Sequence, residues 1–151
     1  MCNFLSAIVL KTGEIVCSPE YTDSHEDLIE SRGLRDDGGD RFVRVEFLPH
    51  ENEFTAVEKY ALKIDGGKPA WWSDDLAEKV TEHLRGIICG AIRETVPFLI
   101  LGGFHILRGK SARVMRARVL CNNSKVTAYD SSRVTAYDSS EVTAYDSSEV
   151  T

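Results

Sequence analysis

No apolar run in this chain approaches the roughly 20 residues that cross a bilayer, which excludes a membrane-spanning helix. Cysteine is scarce and scattered. Cys2, Cys17, Cys89 and Cys121 fall at no metal-ligand spacing, so no metal site or cofactor is indicated and free thiols in a reducing cytoplasm are expected. Basic excess is missing too: the formal charge is −6, a poor basis for nucleic-acid binding by counterion release. The opening Met-Cys-Asn-Phe-Leu-Ser-Ala has no basic residues ahead of its short apolar stretch, so it does not read as a secretory signal. Apolar and charged contents of 42% and 28% are those of an ordinary soluble globular chain, and 151 residues make one domain or a small domain with an appendage.

What is present is a repeat. Val-Thr-Ala-Tyr-Asp-Ser-Ser-(Arg/Glu) begins at Val126, Val134 and Val142, with two residues of a further copy at Val150. A short fixed period with strand residues in one half and turn residues in the other is the signature of a β-solenoid. In the extended half, Val and Ala point to one face and Thr and Tyr to the other. The small pair suits a narrow axis, which places Val and Ala inside in preference to the reverse, with the tyrosines stacked within. Asp-Ser-Ser is turn chemistry, short polar side chains that bond their own backbone. One rung per octad would give ladders of Val126/134/142/150 and Ala128/136/144 on one face, and of Thr and Tyr on the other. Asn122-Asn123-Ser124-Lys125 matches the turn in character, so the repeat begins earlier, with Val119-Leu120-Cys121 as a degenerate rung.

Ahead of the repeat the pattern changes. Residues 4–10 read as a strand, 11–14 as a turn and 15–17 as a returning strand. Ser24 is placed to cap a short helix that Gly33 ends. Residues 41–48 and 59–64 alternate as half-buried strands. Ser73 caps the strongest helix, in which Leu76, Val80, Leu84, Ile87, Ile88, Ala91 and Ile92 form one face and Pro97 sets a stop at 95–96. Residues 98–101, 104–107 and 112–120 read as further strands. The expected architecture is an α+β head over residues 1–118, mostly antiparallel strands with one long helix, followed by an octapeptide-repeat β-helix or β-solenoid tail over residues 119–151.

An isolated tail buries only one Val and one Ala per octad against the ordering cost of every residue. Three chains wound together would bury every inner face and leave no lateral edge. The tail is therefore expected to be an oligomerisation element, trimeric in preference to a roll on its own head, with Val126, Ala128, Val134, Ala136, Val142, Ala144 and Val150 lining the seam.

Several residues carry possible chemistry, each with a plainer reading. Methionine removal would leave the Cys2 thiol beside its own α-amino group, the arrangement of N-terminal-nucleophile hydrolases; the plainer reading is a strand-start cysteine. His25 with Glu26 and Asp27 could serve acid–base catalysis, although neighbours on a helix do not face one another. Arg108, Lys110, Arg113, Arg116 and Arg118 form a basic row in an acidic protein. Of these, Arg113, Arg116 and Arg118 are the candidates for holding a phosphate-bearing ligand, against simple pairing with nearby acids. His50, His83 and His105 show no ligand spacing. Trp71-Trp72 includes at least one core residue. Asp130, Asp138 and Asp146 could line up for cations, or stand as solvated turn carboxylates.

The tail resembles the Ala-Tyr-Asp-Ser octads of uncharacterised phage, prophage and bacterial proteins. The start, with Thr22-Asp23-Ser24-His25-Glu26-Asp27-Leu28-Ile29, looks like the same group. In repeat length alone the tail is similar to the octapeptide triple-stranded β-helices of contractile-tail puncturing spikes, from which it differs in having no glycine in the octad. The resemblance brings no established activity with it; the leading expectation is a non-enzymatic structural or interaction protein of phage or prophage origin with a protein partner, in the host cytoplasm or associated with a virion. The alternative is a small-ligand-binding protein or hydrolase with its site on the head.

Overall fold

The computed structural model describes residues 4–35, 38 and 40–151. The chain divides into two compact units. One holds the chain up to His50 together with Glu58–Ile87; the other holds Glu51–Val57 and Ile88–Thr151.

The first unit is built on an antiparallel sheet of β1 (Leu5–Leu10), β2 (Ile15–Val16), β3 (Phe42–Leu48) and β4 (Ala61–Asp65), in the order β2-β1-β3-β4. The hairpin turns through Gly13 at φ +87°. Helix α1 (His25–Ser31) starts where expected: the Ser24 side chain accepts from Asp27 N, and Gly33 N and Leu34 N return to Glu30 O and Ile29 O. Its buried residues Leu28 and Ile29 pack with Ile8, Val16 and Phe42. Strand β3 is more deeply buried than a half-exposed strand. Even Glu46 is almost covered, and it meets its cross-strand partner Lys63 at 3.7 Å.

Helix α2 (Asp74–Ala91) begins with Leu76 N donating to Ser73 Oγ, and it buries Val80, Leu84, Ile88 and Ala91 along one face. It ends earlier than the expected 95–96. Ile92 instead forms a parallel bridge to Ile106, and Arg93 N donates to Ile106 O. A neighbouring strand offers those backbone groups partners, so helical continuation gives way before Pro97 is reached.

The second unit is a parallel solenoid of about four turns. One sheet stacks β5 (Ile100–Leu101), β7 (Ser111–Met115), β9 (Lys125–Tyr129) and β11 (Glu141–Ala144). The other stacks β6 (Phe104–Arg108), β8 (Arg118–Asn122), β10 (Arg133–Tyr137) and β12 (Glu149–Val150). All pairs in both sheets are parallel. Between them lies a core of Ile100, Leu107, Ala112, Val114, Ala117, Val119, Cys121, Val126, Ala128 and Val134. Val and Ala of the octad point inward, as expected.

Two expectations are corrected. The strands read into the head at 98–101, 104–107 and 112–120 belong to the solenoid, which begins at Ile100 rather than Val119. Residues 112–120 are two strands, broken at Arg116 with φ +52°. Nor does each octad add a rung to every ladder. Val126 pairs with Val142, and Val134 with Val150, so a coil consumes two octads, or 16 residues, and alternate octads lie in opposite sheets.

The concealed repeat has a backbone marker. Gly102, Gly109, Arg116, Asn123, Asp130, Asp138 and Asp146 all take φ between +48° and +65°. They recur every seven residues as far as Asp130 and every eight thereafter. From β6 to β10 each half-coil is a five-residue strand, followed by a two-residue turn in the early coils and a three-residue turn in the octads. Glycine, asparagine and aspartate tolerate the left-handed region best.

Serines then stitch the coils together. Ser132 Oγ donates to Tyr129 O at 2.7 Å and accepts from Ala117 N, one coil back. Ser124 Oγ accepts from Lys110 N, and Ser140 Oγ accepts from Ser124 N.

Candidate functional site

Alternation along β5, β7, β9 and β11 turns every second side chain outward, and register stacks those side chains in columns. One column runs Ser111, Lys125, Glu141 and another Arg113, Thr127, Thr143. The third runs Leu101, Met115, Tyr129 and on to Tyr145. The Tyr129 and Tyr145 rings stack with centroids 5.2 Å apart and planes 10° from parallel. Leu101 is 68% exposed and Tyr145 50%. Phe98, 83% exposed, lies under the Arg113 guanidinium at 5.0 Å. Phe98, Val96, Pro97, Ser111, Ala112, Arg113, Lys125 and Thr127 enclose a shallow groove of about 390 Å³. A parallel sheet holds these groups rigidly, so the face is pre-organised for contact.

The opposite sheet is different. Tyr137 packs against buried Phe54 from the 51–57 segment, with centroids 4.6 Å apart. The expected single ladder of tyrosines is thus divided: Tyr129 and Tyr145 face outward on one sheet, and Tyr137 is half-buried on the other.

The arginine candidates do not converge. Arg113 stacks on Phe98, Arg116 occupies a turn 3.4 Å from Asp130, and Arg118 is buried over the Phe104 ring at 5.1 Å. No shared phosphate site forms among the three, because 113 and 118 lie in different sheets and 116 lies between them. The aspartates are divided in the same way. Asp130 and Asp146 follow one sheet, whereas Asp138 follows the other and accepts from Asn122 Nδ2 at 2.6 Å. No group of three metal-ligating side chains occurs among the described residues.

His25 is buried, with Nε2 2.9 Å from Val45 O. A carbonyl only accepts, so Nε2 carries the proton and Nδ1 faces Asp65 Oδ2 at 4.0 Å. This ring anchors the start of α1 to β3 and does not present itself to a substrate. Cys2 lies outside the described residues. Cys17 is pushed up to about 11, chiefly by burial and then by the Glu20 carboxylate, which leaves it a protonated thiol. Trp72 is buried and Trp71 is partly covered.

The residues expected to line a seam between chains line the interior of one chain. Val126, Ala128 and Val134 are buried, Ala136 and Val142 pack partly against the same core, and Ala144 and Val150 are exposed in the last coil.

Sequence reasoning missed two arrangements. One is the outer column, because Leu101 and Met115 join the tyrosines only through a register that steps by 14 and then 16 residues. The other is the setting of His105, whose Nδ1 accepts from Arg93 Nε at 2.9 Å while Nε2 donates to Gly102 O at 2.7 Å. Burial lowers the His105 pKa. The Gly102 hydrogen bond opposes that shift, and the Arg93 charge adds to it.

No protein-family profile, no curated protein and no solved structure matches this chain.

Proposed function

We propose that this chain is a non-enzymatic structural or interaction protein that assembles with further copies of itself through the outer face of β5-β7-β9-β11. The observation that carries the reading is the column Leu101–Met115–Tyr129–Tyr145, which sets apolar and stacked aromatic surface on a rigid sheet. Exposed aromatic and aliphatic groups rimmed by polar ones are what interfaces are made of. The charges beside it are already matched within the chain, Lys125 with Glu141 at 2.9 Å, so the apolar column is the part of this face left for a second copy of itself. Three copies is the favoured assembly. The Ala-Tyr-Asp-Ser octads favour a phage or prophage setting, with the protein in a host cytoplasm or on a virion.

Absolute mass by light scattering tests this directly. The expected mass is a multiple of 16.8 kDa, three-fold in the favoured case. Replacing Leu101, Tyr129 and Tyr145 by serine should return the chain to a monomer with its fold intact by circular dichroism. A wild-type monomer at micromolar concentration and above would sink the reading.

A further inference from the structure

The second unit holds another recess, distinct from the sheet face. Thr55, Cys89, Ile92, Arg93, Glu94, Ile106, Arg108 and Lys110 enclose an open groove of about 700 Å³, within the size range of small-molecule sites. Its floor is the Ile92–Ile106 bridge, where the chain leaving α2 pairs with β6. Three cations reach it from separate segments. Arg93 comes from the chain after α2, Arg108 from the end of β6, and Lys110 from the following turn.

The two guanidiniums are held from behind, and the lysine is held by its backbone. Arg93 N donates to Ile106 O, and its Nε donates to His105 Nδ1. His105 is itself fixed by Gly102 O, and a Cβ on Gly103 would come within 3.1 Å of His105 Nε2, so glycine makes room for the ring. Arg108 Nη1 donates to Thr55 Oγ1 at 3.3 Å. Lys110 has its backbone locked on both sides, N to Ser124 Oγ and O from Lys125 N.

Among the described residues, none of the three cations has a carboxylate within 4.0 Å. Arg116, Lys125 and Arg133 in the same unit all do. Glu94 is the one acid among the described residues of the groove's wall, leaving them with two net positive charges in a chain whose formal charge is −6. Like charges gathered without counter-charges are costly, and an anion relieves that cost. Two net charges match a dianion better than a carboxylate. The fixed guanidinium of Arg93 offers its terminal nitrogens as a fork.

We propose that this groove binds a phosphomonoester, with the phosphate held by Arg93, Arg108 and Lys110 and an apolar or aromatic body resting on the partly exposed Ile92. Arg93 is positioned by His105, whose imidazole accepts the Nε proton only while neutral. The site is independent of the assembly face, since none of its residues belongs to β5, β7, β9 or β11.

Calorimetric titration of the full chain with phenyl phosphate, inorganic phosphate, benzenesulfonate and benzyl alcohol tests the proposal. Phenyl phosphate should bind saturably. Inorganic phosphate should bind at least about tenfold more weakly for want of apolar contact. The monoanionic sulfonate should be weaker than phenyl phosphate, and the alcohol silent. Arg108→Gln and Lys110→Gln, both away from the buried core, should each weaken phenyl phosphate by about tenfold or more. Arg93→Lys keeps the charge and loses the fork and the His105 bond, so it should also weaken binding. Circular dichroism confirms that each variant is folded. No saturable binding of phenyl phosphate at millimolar concentration, equal binding of inorganic phosphate, or folded variants with unchanged affinity would each overturn the proposal.

Discussion

Lys125 Nζ lies 2.9 Å from Glu141 Oε2, and the two residues are register partners exactly one coil apart. Arg133 and Glu149 repeat the relationship on the other sheet at 3.1 Å. The eighth position of successive repeats runs Lys125, Arg133, Glu141, Glu149: base, base, acid, acid. One octad per coil would stack Lys125 on Arg133 and Glu141 on Glu149, and only Arg133 on an acid. Two octads per coil stack every base on an acid.

A double-mutant cycle checks this relationship. Lys125 and Glu141 are well exposed, so their coupling should be small, about 0.2–1 kcal/mol. Glu141→Lys should lower the midpoint of denaturation, and adding Lys125→Glu should restore it. Lys125 and Arg133, on opposite sheets, should show no coupling. Coupling between 125 and 133 instead would show that the coil takes one octad.

The second serine of each turn should matter far more than the first. Ser132 is 1% exposed and its Oγ joins Tyr129 O to Ala117 N, whereas Ser131 is exposed. Ser132→Ala leaves a buried backbone N–H without its acceptor and should cost about 1–3 kcal/mol. Ser131→Ala should fall within about 0.5 kcal/mol of wild type. Equal effects in urea denaturation would refute the stitching role.

His105 makes the solenoid pH-sensitive. Its pKa is lowered in the folded state, so between that value and the ordinary 6.5 the unfolded chain binds more protons. The stabilisation is complete above about 6.5 and is lost as the pH falls through and below it. His105→Gln keeps an acceptor and a donor but cannot titrate in this range. Stability of the wild type, measured against that variant from pH 7.5 down to 4.5, should show an extra decline that begins near 6.5. Parallel profiles would rule the histidine out as the cause.

Thiol reactivity should rank by environment. Cys89 is exposed, Cys121 is buried, and Cys17 is raised to about 11. Cys121 is also raised, chiefly by burial. Among these three, alkylation at pH 8 followed by peptide mass analysis should find Cys89 modified first and Cys17 far behind. Cys121 should react only as the solenoid opens. Early labelling of Cys17 would contradict its burial.

Much of the first unit was legible in residue patterns. Ser24 and Ser73 cap their helices through local hydrogen bonds that need no distant partner. The hairpin of β1 and β2 and the alternation in β3 and β4 are likewise local. Helix α2 was read too long because its end is decided by competition from Ile106, which lies in another strand. The arginines were read as a row because sequence spacing conceals a turn at Arg116, where a left-handed arginine stands in for the Gly, Asn or Asp used elsewhere.

The candidate surfaces were less legible. Leu101 and Met115 join the tyrosine column only across coils, and Arg93, Arg108 and Lys110 meet only because the chain after α2 pairs with β6. Neither grouping has a short-range signal.

By itself, the sequence determined that the octads fold as strand and turn, with Val and Ala inward and Asp-Ser-Ser at the corners, since pleat geometry and turn chemistry act within a few residues. Tertiary structure alone decided how many octads close a coil, where the solenoid begins and which side chains share a face. Those depend on hydrogen-bond register between strands 14 to 16 residues apart, where inward packing, serine stitching and charge pairing must all be satisfied together.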